Sequence, residues 1–451
     1  MTTLAERDTT PSSAGAESAR RSFRILSFYP LGAMVLPIFS GYGSSLVLMV
    51  WLSFHRLWPV VLGRKPANGE VSDPAVLARV QRMRHAMRPI HWGVLAYVVA
   101  MVAAAILSAS TSDWAGSSRE VTRELKHFIL KSGILWFALS GAILGAIASG
   151  WRVRDSAKIW LGLLTINFIY MVVQRYTGIN WSAGFGEVLG PHRFAYGVYR
   201  VSGFMGHPLS LSYNLVLITV IVAGFCLRGG VQKSVEGIRV WVALLCVALA
   251  SLFVTGSRWP LVAAIIAVAA PELTRIWKWR WHVAGLTVGF GVLLYFEGSI
   301  LGRMSEIMAP GQTFAQRFDR IVFWQAHWRM FLDHPLFGVG IAAPEAAKVH
   351  YYNLVGGSDK LYQAHNIFLQ TLADSGIVGF AGLAALVLGF LVATLRSFGA
   401  SGARGMLMLL AAILLCGLLQ NNLRDSEFLF ALWLGTCLVL ARDSEDLKTE
   451  V

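Results

Sequence analysis

Two arginines border long apolar segments of this 451-residue chain, where a positive charge is unfavourable unless it meets a partner. Arg200 lies in the sequence YRVSGFMGHPLS, and Arg258 lies in TGSRWP with apolar residues on both sides. A guanidinium group can donate two parallel hydrogen bonds to a phosphate, and its weak hydration favours it close to lipid. For any one arginine, anchoring at a membrane surface is the alternative. Arg258 lies in a predicted hairpin turn of only two or three residues. Anchoring explains Arg258 less well, because so short a turn would accommodate small residues more easily.

Further arginines in the second half of the chain could supply the same chemistry. They are Arg303, Arg317, Arg320, Arg329 and Arg424. A cluster of arginines beside apolar helices would suit the phosphate or pyrophosphate group of a lipid-linked substrate.

His365 is the candidate general base. It lies beside Asn366 in QAHNIFLQTLADSGIVG, at the predicted start of a helix. A neutral imidazole at this place could take a proton from a sugar hydroxyl near pH 7. The alternative is a structural histidine that caps the helix.

Metal-binding spacings are missing from the sequence. It contains no HxxxH, HxH or DxD pattern, no CxxC pair among its 4 cysteines, and no GxxxxGK[ST] phosphate loop. We therefore predict a mechanism that uses no metal and no cofactor.

Composition places these residues in a membrane protein. The chain is 55% apolar and only 14% charged, whereas soluble proteins carry roughly 25% charged residues. This excludes a soluble globular enzyme, a disordered chain and a disulfide scaffold. Twelve apolar segments are candidate membrane spans, near 25–42, 44–62, 90–109, 127–149, 158–174, 205–227, 239–255, 258–274, 283–297, 374–395, 404–420 and 427–441. Several are shorter than the roughly 20 residues of an ideal span.

The formal charge of +14 indicates the orientation of these segments. Lys and Arg concentrate in 63–89, 228–239 and 275–282, and cytoplasmic loops are the ones that collect them. We therefore expect cytoplasmic tails at 1–24 and 442–451, without a cleaved signal peptide. The arginines described above then lie on the opposite, outer side.

One long outer loop, 298–373, separates spans one to nine (25–297) from spans ten to twelve (374–441). Within it, residues 313–333 form a predicted helix that either lies at the membrane surface or packs on the bundle as a lid. Its apolar stripe consists of Phe314, Phe318, Ile321, Trp324, Trp328 and Leu332. The predicted fold class is an all-α polytopic membrane protein of about twelve transmembrane helices, with one long outer loop that contains amphipathic helices.

Several of these sequences resemble the O-antigen ligase and polymerase superfamily. The similar stretches are YRVSGFMGHPLS, VTGSRWPLV, RFDRIVFWQAHWRMFLDHPLFGVG and QAHNIFLQTLADSGIVG. They follow the order of the family pattern: Ser-Arg at an outer helix start, a helix that ends in HPLFGVG, then HN opening a helix that runs to GIVG. The resemblance covers residues 200–380, and elsewhere only hydropathy and segment number agree.

The resemblance implies a GT-C-like glycosyltransferase of the bacterial inner membrane whose active site faces the periplasm. Such an enzyme transfers an O-antigen glycan from undecaprenyl pyrophosphate to lipid A–core in lipopolysaccharide biosynthesis, with inversion if the step is a single displacement. Arg200 and Arg258 would contact the pyrophosphate, and His365 would be the base. Further substrate-binding residues would be Arg303, Arg317, Arg320 and Asn366. The expected partners are this donor, this acceptor and membrane lipids, with no nucleic acid.

Two alternatives stay open. Polymerases of the same superfamily usually show two sizeable outer loops, and residues 175–204 could count as a modest second loop. A transporter of lipid-linked glycans would use the same arginines. Against transport, the segments show no inverted repeat, and acidic residues near spans are boundary cases such as Glu272 and Glu297.

Overall fold

The computed structural model describes most of the chain from residue 74 onwards. The described residues are 74–114, 117–148, 152–181, 187–190, 194–195, 198–205, 207–226, 235–272, 319–343, 345–355, 363–397 and 399–446. Arg303, Arg317 and the predicted segments 25–42, 44–62 and 283–297 lie outside them.

The described chain is almost entirely helical. Its α-helices are α1 (Pro74–Thr111), α2 (Ser118–Phe128), α3 (Leu135–Ala148), α4 (Ala157–Thr177), α5 (Pro208–Cys226), α6 (Val235–Val254), α7 (Arg258–Ala269), α8 (Asp319–Asp333), α9 (Glu345–Leu354), α10 (Ile367–Arg396), α11 (Gly399–Leu419) and α12 (Ser426–Asp446). A π-helical stretch, Ile129–Ile134, joins α2 to α3, and short 3₁₀ turns cover Val153–Ser156, Ala270–Glu272 and Asn422–Arg424. Between α4 and α5, strands β1 (Phe194–Ala195) and β2 (Val198–Tyr199) form an antiparallel pair.

Local sequence signals explain where some of these helices begin and end. Ser117 and Glu120 form a capping box at the start of α2, in which each side chain bonds the other residue's backbone N–H. Helix α4 ends at Gly178, whose φ of 73° is the left-handed conformation that glycine adopts without a steric penalty. The Asn366 side chain caps α10.

Five helical stretches of the described chain are long and apolar enough to cross a membrane. They are Val76–Thr111, Ser118–Ile147, Ala157–Thr177, Pro208–Cys226 and Ile367–Arg396. Nine of the twelve predicted segments coincide with α1, α3, α4, α5, α6, α7, α10, α11 and α12. The helical membrane architecture is thus confirmed, while the total of twelve spans stays a prediction because three segments lie outside the described residues.

Helix α5 lies at the centre of the bundle. Every residue from 211 to 225 is buried, and α6, α7, α11 and α12 pack around it. An all-round apolar sequence is what a helix enclosed by others requires. On another side of the bundle, α1 and α10 pack closely at glycines. A Cβ on Gly93 would lie 2.9 Å from the Ala385 carbonyl, and one on Gly389 would lie 2.7 Å from the Pro89 carbonyl.

Helix α8 confirms that the described part of the predicted segment 313–333 is helical. It packs on α9 and α10 through Phe323, Ala326 and Met330, which belong to a second hydrophobic cluster. The predicted stripe lies on another face: Trp328 is 46% and Leu332 is 56% exposed. The packing supports the lid alternative, and contact of the exposed stripe with the membrane surface stays a prediction.

Candidate functional site

Two glycine-containing segments, HPLFGVG at 334–340 and SGIVG at 375–379, pack directly against each other. Helix α10 is broken at Gly376, where φ is 59° and ψ is −159°, and residues 335–340 occupy the break. The Val339 N–H donates to the Ala373 carbonyl at 2.9 Å, and the Ile377 N–H donates to the Pro335 carbonyl at 2.9 Å. These bonds replace those that the helix loses at the break.

Glycine is required at both sides of this junction. A Cβ at Gly376 would collide with the Leu336 backbone, and a Cβ at Gly338 would collide with the Ser375 backbone. Both glycines also have positive φ, a conformation that strains other residues. The sequences HPLFGVG and SGIVG therefore form one structural unit that fixes how the lid meets α10.

A buried carboxylate stands just before the break. Asp374 is 2% exposed, pairs with Arg424 at 2.7 Å and accepts a hydrogen bond from the Gln370 side chain at 2.9 Å. Arg424 also donates to the Ile341 carbonyl at 3.3 Å. The other end of the Gln370 amide accepts the Ala364 N–H at 2.9 Å. A polar chain thus runs from Arg424 through Asp374 and Gln370 to the residue before the candidate base.

His365 itself adopts a left-handed backbone conformation, with φ of 46°, and no other non-glycine residue in the described part of the chain has positive φ. Such a conformation is unfavourable by about 1–3 kcal/mol and persists only where the surroundings enforce it. The surroundings do so here. The Trp324 indole donates to the Ala364 carbonyl at 2.9 Å, and the Asn366 side chain donates to the Leu418 carbonyl at 3.1 Å.

The helix cap at this place is Asn366 and not His365. The Asn366 side-chain oxygen accepts the backbone N–H groups of Phe368 and Leu369. The imidazole is therefore available for another contact, and its Nδ1 lies 2.8 Å from the side-chain oxygen of Gln420. The His365 side chain is half-buried between α8 and α11, with the Phe323 ring at a centroid distance of 6.3 Å.

Arg258 lies at the same end of α11 as His365. It is the first residue of α7, after a turn of residues 255–257, as the sequence predicts for a short hairpin. The neighbouring Trp259 indole donates to the Leu415 carbonyl of α11 at 2.9 Å. Leu415 precedes Gln420 by only five positions, which is about 7 Å along a helix axis.

Arg200 is exposed and lies in the segment between β2 and α5. The backbone N–H groups of Ser202 and Gly203 donate to the Gln174 side-chain oxygen at 2.8 and 2.9 Å. Gln174 belongs to the last turn of α4, so this segment is fixed to the C-terminal end of that helix.

Arg175 links that end of α4 to the Arg258 hairpin. Its guanidinium donates to the Val254 carbonyl, the last residue of α6, at 2.7 Å. On the other side, the hydroxyl oxygens of Ser212 and Ser257 lie 2.8 Å apart and connect α5 to the residue before Arg258. Arg200, Arg258 and His365 are therefore all held at one end of the helix bundle.

The remaining predicted residues fall into two groups. Arg320 is exposed in the first turn of α8, close enough to the Tyr213 phenol of α5 to interact with it electrostatically. Arg303 and Arg317 lie outside the described residues. Arg329 donates to the Leu354 carbonyl at 3.1 Å, and Arg424 pairs with Asp374, so these two have structural partners.

His327 is a buried histidine that the sequence does not single out. Its Nδ1 donates to the Phe323 carbonyl at 2.8 Å, while its Nε2 has no hydrogen-bond partner within the described part of the chain. Burial lowers the pKa of His327 to about 4, because the apolar surroundings disfavour the charged ring, and the Asp374 carboxylate acts in the opposite direction. His327 is therefore neutral at pH 7 and belongs to the lid core.

Gln370, Asp374 and Gln420 are the site residues that the sequence analysis missed. Gln370 and Asp374 are spaced four apart in QTLAD, a separation that lets side chains interact on a helix. Gln420 gives no local signal, since it lies 55 positions from His365. Among the described residues, no three His, Cys, Asp or Glu side chains are placed to hold a metal ion.

A comparison with protein families identifies the segment that contains this site. Residues 241–384 match the family model described as O-antigen ligase, which is about a third of the chain. The matched segment includes Arg258, His365 and the break in α10, whereas Arg200 precedes it. A comparison with curated proteins found no match. By this match, residues 241–384 of the chain are similar to the O-antigen ligase family.

Proposed function

We propose that the chain is an O-antigen ligase, a glycosyltransferase that moves a glycan from undecaprenyl pyrophosphate to lipid A–core. The observation that carries the proposal is the arrangement of His365 and Arg258. Inside the family domain, a histidine with an enforced left-handed backbone lies at the same end of α11 as an arginine at a helix start. This transfer needs a general base and a phosphate-binding cation in the same site.

In the proposed reaction, His365 accepts the proton of an acceptor hydroxyl while the oxygen of that hydroxyl attacks the anomeric carbon of the donor sugar. The bond between that carbon and the pyrophosphate oxygen breaks, and the leaving phosphate keeps the electron pair. A single displacement of this kind inverts the anomeric configuration. The donor brings its own leaving group, so the step consumes no nucleotide.

Arg258 and Arg200 are the proposed stabilisers of the leaving pyrophosphate. Charge develops on the bridging oxygen as the bond breaks, and donors that are already in place stabilise it without having to reorganise. Removing one such donor should raise the barrier by about 3 kcal/mol. Arg303, Arg317 and Arg320 supply further positive charge for substrate binding in this proposal, and Asn366 lies beside the base.

We further propose that this end of the bundle faces the periplasm of the bacterial inner membrane, with both termini in the cytoplasm. The support is the concentration of Lys and Arg in the sequence segments between the opposite helix ends. Residues 298–373 would then form the large periplasmic loop, and α8 with α9 would be its lid.

A polymerase of the same superfamily is the second candidate, and one observation favours it. The connection between α4 and α5 has a structure of its own, with a bridge between Ile179 and Val188 and the β1–β2 pair. The Trp181 ring also stacks on Tyr170 at a centroid distance of 4.9 Å. Polymerases of this superfamily usually show two sizeable outer loops, and this connection would be the second.

One reconstitution separates these functions. The purified chain in liposomes receives a glycan on undecaprenyl pyrophosphate, together with either lipid A–core or more of the same donor. We expect glycosylated lipid A–core as the product. A lengthened lipid-linked glycan would instead identify a polymerase. Movement of an unchanged donor between leaflets, without any transfer, would contradict a glycosyltransferase function.

A further inference from the structure

We propose that Gln420 is a positioning residue that keeps the proton of His365 on Nδ1 and leaves Nε2 as the basic atom. The inference rests on the proposed function, in which His365 accepts the proton of the acceptor. Its basis is the contact of 2.8 Å between His365 Nδ1 and the Gln420 side-chain oxygen. An amide oxygen has no proton to give, so Nδ1 is the donor. A neutral imidazole has a single N–H, and its other nitrogen, Nε2, then carries the lone pair.

The junction between α10 and α11 fixes Gln420 against the base. Three successive contacts join the end of α11 to the start of α10. They are Gln420 with His365, Leu418 with Asn366, and Gly417 with Ile367. A Cβ at Gly417 would overlap the Ile367 side chain, so the two chain segments are in close contact. The amide is therefore held by the register of two helices and is not a loose surface group.

Charged groups near this junction have partners other than the imidazole ring. Asp374 pairs with Arg424 at 2.7 Å, and its link to His365 runs through Gln370 to the Ala364 backbone. From α8, the ring faces Phe323. Within the described residues, the hydrogen bond of the His365 ring is thus made to a neutral amide, that of Gln420. It orients the ring and selects the tautomer without adding a negative charge.

Two substitutions at position 420 separate orientation from bulk. Gln420→Met keeps the length of the side chain but offers only a weak acceptor. We expect kcat to fall about tenfold with little change in KM, since one hydrogen bond that selects the tautomer is lost. Gln420→Glu keeps an acceptor at the same place. We expect it to retain kcat at high pH and to move the acidic limb of the pH–rate profile upward by about one unit, because a carboxylate stabilises the protonated ring. Gln325→Met, an exposed glutamine on α8, is the matched control and should behave as the parent chain.

A second readout does not require transfer. Diethyl pyrocarbonate modifies unprotonated imidazole, and tryptic cleavage after Lys360 and Arg396 yields a peptide, 361–396, in which His365 is the sole histidine. Labelling of the full-length protein across pH gives the protonation midpoint of His365. The midpoint should rise by about one unit in Gln420→Glu and stay unchanged in Gln325→Met.

The possible results test the role of His365 as the base and the positioning role of Gln420 separately. Full transfer by His365→Ala would reject His365 as the base, while the labelling shift in Gln420→Glu would still establish the contact. Loss of transfer in His365→Ala, together with parental kcat in Gln420→Met and an unshifted midpoint in Gln420→Glu, would overturn the positioning role alone. An inactive Gln420→Glu beside a fully active Gln420→Met would likewise mean that the amide does not position the base, and the role assigned to Gln420 would be wrong. Should Gln420→Met fail to fold, the labelling midpoint of Gln420→Glu still decides.

Discussion

The two halves of α10 bury different kinds of side chain. Before the break at Gly376, the buried residues include Gln370, Thr371, Asp374 and Ser375. After the break, residues 377–396 bury glycines and apolar side chains against α1 and expose leucines on the side away from it. The first half is held by hydrogen bonds and an ion pair, and the second half is held by close packing of glycines and apolar side chains.

This difference assigns separate tasks to the two halves. Polar groups in a low-dielectric interior interact strongly but only at the right geometry, so a fully bonded network defines one arrangement of its members. The first half uses such a network to fix the backbone around His365. In the second half, glycines allow two backbones to approach closely, which is a general way to join helices in lipid. Substitutions in the first half should therefore affect both chemistry and stability, and those in the second half should affect stability alone.

The largest effect is expected from His365→Ala in the reconstituted transfer assay. A general base contributes about 10²- to 10⁴-fold to rate, so kcat should fall by that factor while the protein still inserts and unfolds at its usual temperature. His350→Ala, on the exposed side of α9, is the matched control. Equal losses of kcat in both variants would contradict a specific role of His365 as the base.

Asp374→Ala should be the most destabilising change in the first half of α10. It leaves Arg424 without its carboxylate and Gln370 without its acceptor, and loss of one partner of a buried ion pair lowers the free energy of unfolding by about 3–5 kcal/mol. Thermal unfolding in detergent measures this. Adding Arg424→Met should recover part of the loss, and a double variant no more stable than Asp374→Ala would argue against the pairing.

Sequence patterns predicted much of the fold because long apolar blocks report helices directly. The same patterns predicted a helix at α8 but not which face packs, since Phe323 and Met330 are as apolar as Trp328 and Leu332. Residues 335–337 of the HPLFGVG sequence form a turn. That this turn enters α10 at Gly376 depends on contacts between segments about 40 positions apart, which no local pattern contains.

The candidate site shows the same limit. The sequence draws attention to His365 and Arg258 because a polar residue at the start of an apolar helix is conspicuous, and their roles in the reaction stay predictions. The left-handed backbone of His365 was not predictable, because it results from Trp324, Gln370 and Asn366 acting together. Gln420 was not predictable either, because only the meeting of α10 and α11 brings it to the imidazole.

His327 connects the stability of the lid to pH. Its folded-state pKa of about 4 lies below 6.5, the ordinary value of a histidine, so the unfolded chain binds more protons between these two pH values. Stability is therefore complete above about pH 6.5 and decreases as pH falls toward 4, by about 3 kcal/mol in total. Unfolding temperatures measured across this range should fall in the parent chain and fall less in His327→Phe. A parallel decrease in both would assign the effect to other groups.

Arg258 lies at the same end of α11 as His365. The substitution Arg258→Lys tests whether its contribution to activity depends on the geometry of the guanidinium group or only on its charge. Lysine keeps the positive charge but cannot form two parallel hydrogen bonds to phosphate. We expect kcat/KM to fall about thirtyfold, which is about 2 kcal/mol, with an unchanged unfolding temperature. Parental activity would mean that charge alone is sufficient at this place.

The smallest effect is expected from Gly382→Ala in the second half of α10. A Cβ at this position would lie 2.6 Å from the Ala100 Cβ of α1, so the two helices must move apart slightly. Overpacking of this kind lowers stability by about 1–3 kcal/mol, which the unfolding temperature reports. Because residue 382 lies beyond the break, the network around His365 should keep its geometry and kcat per folded molecule should not change. A fall in kcat without a fall in unfolding temperature would mean that the break at Gly376 does not separate the two halves, and that strain in the apolar half reaches the base.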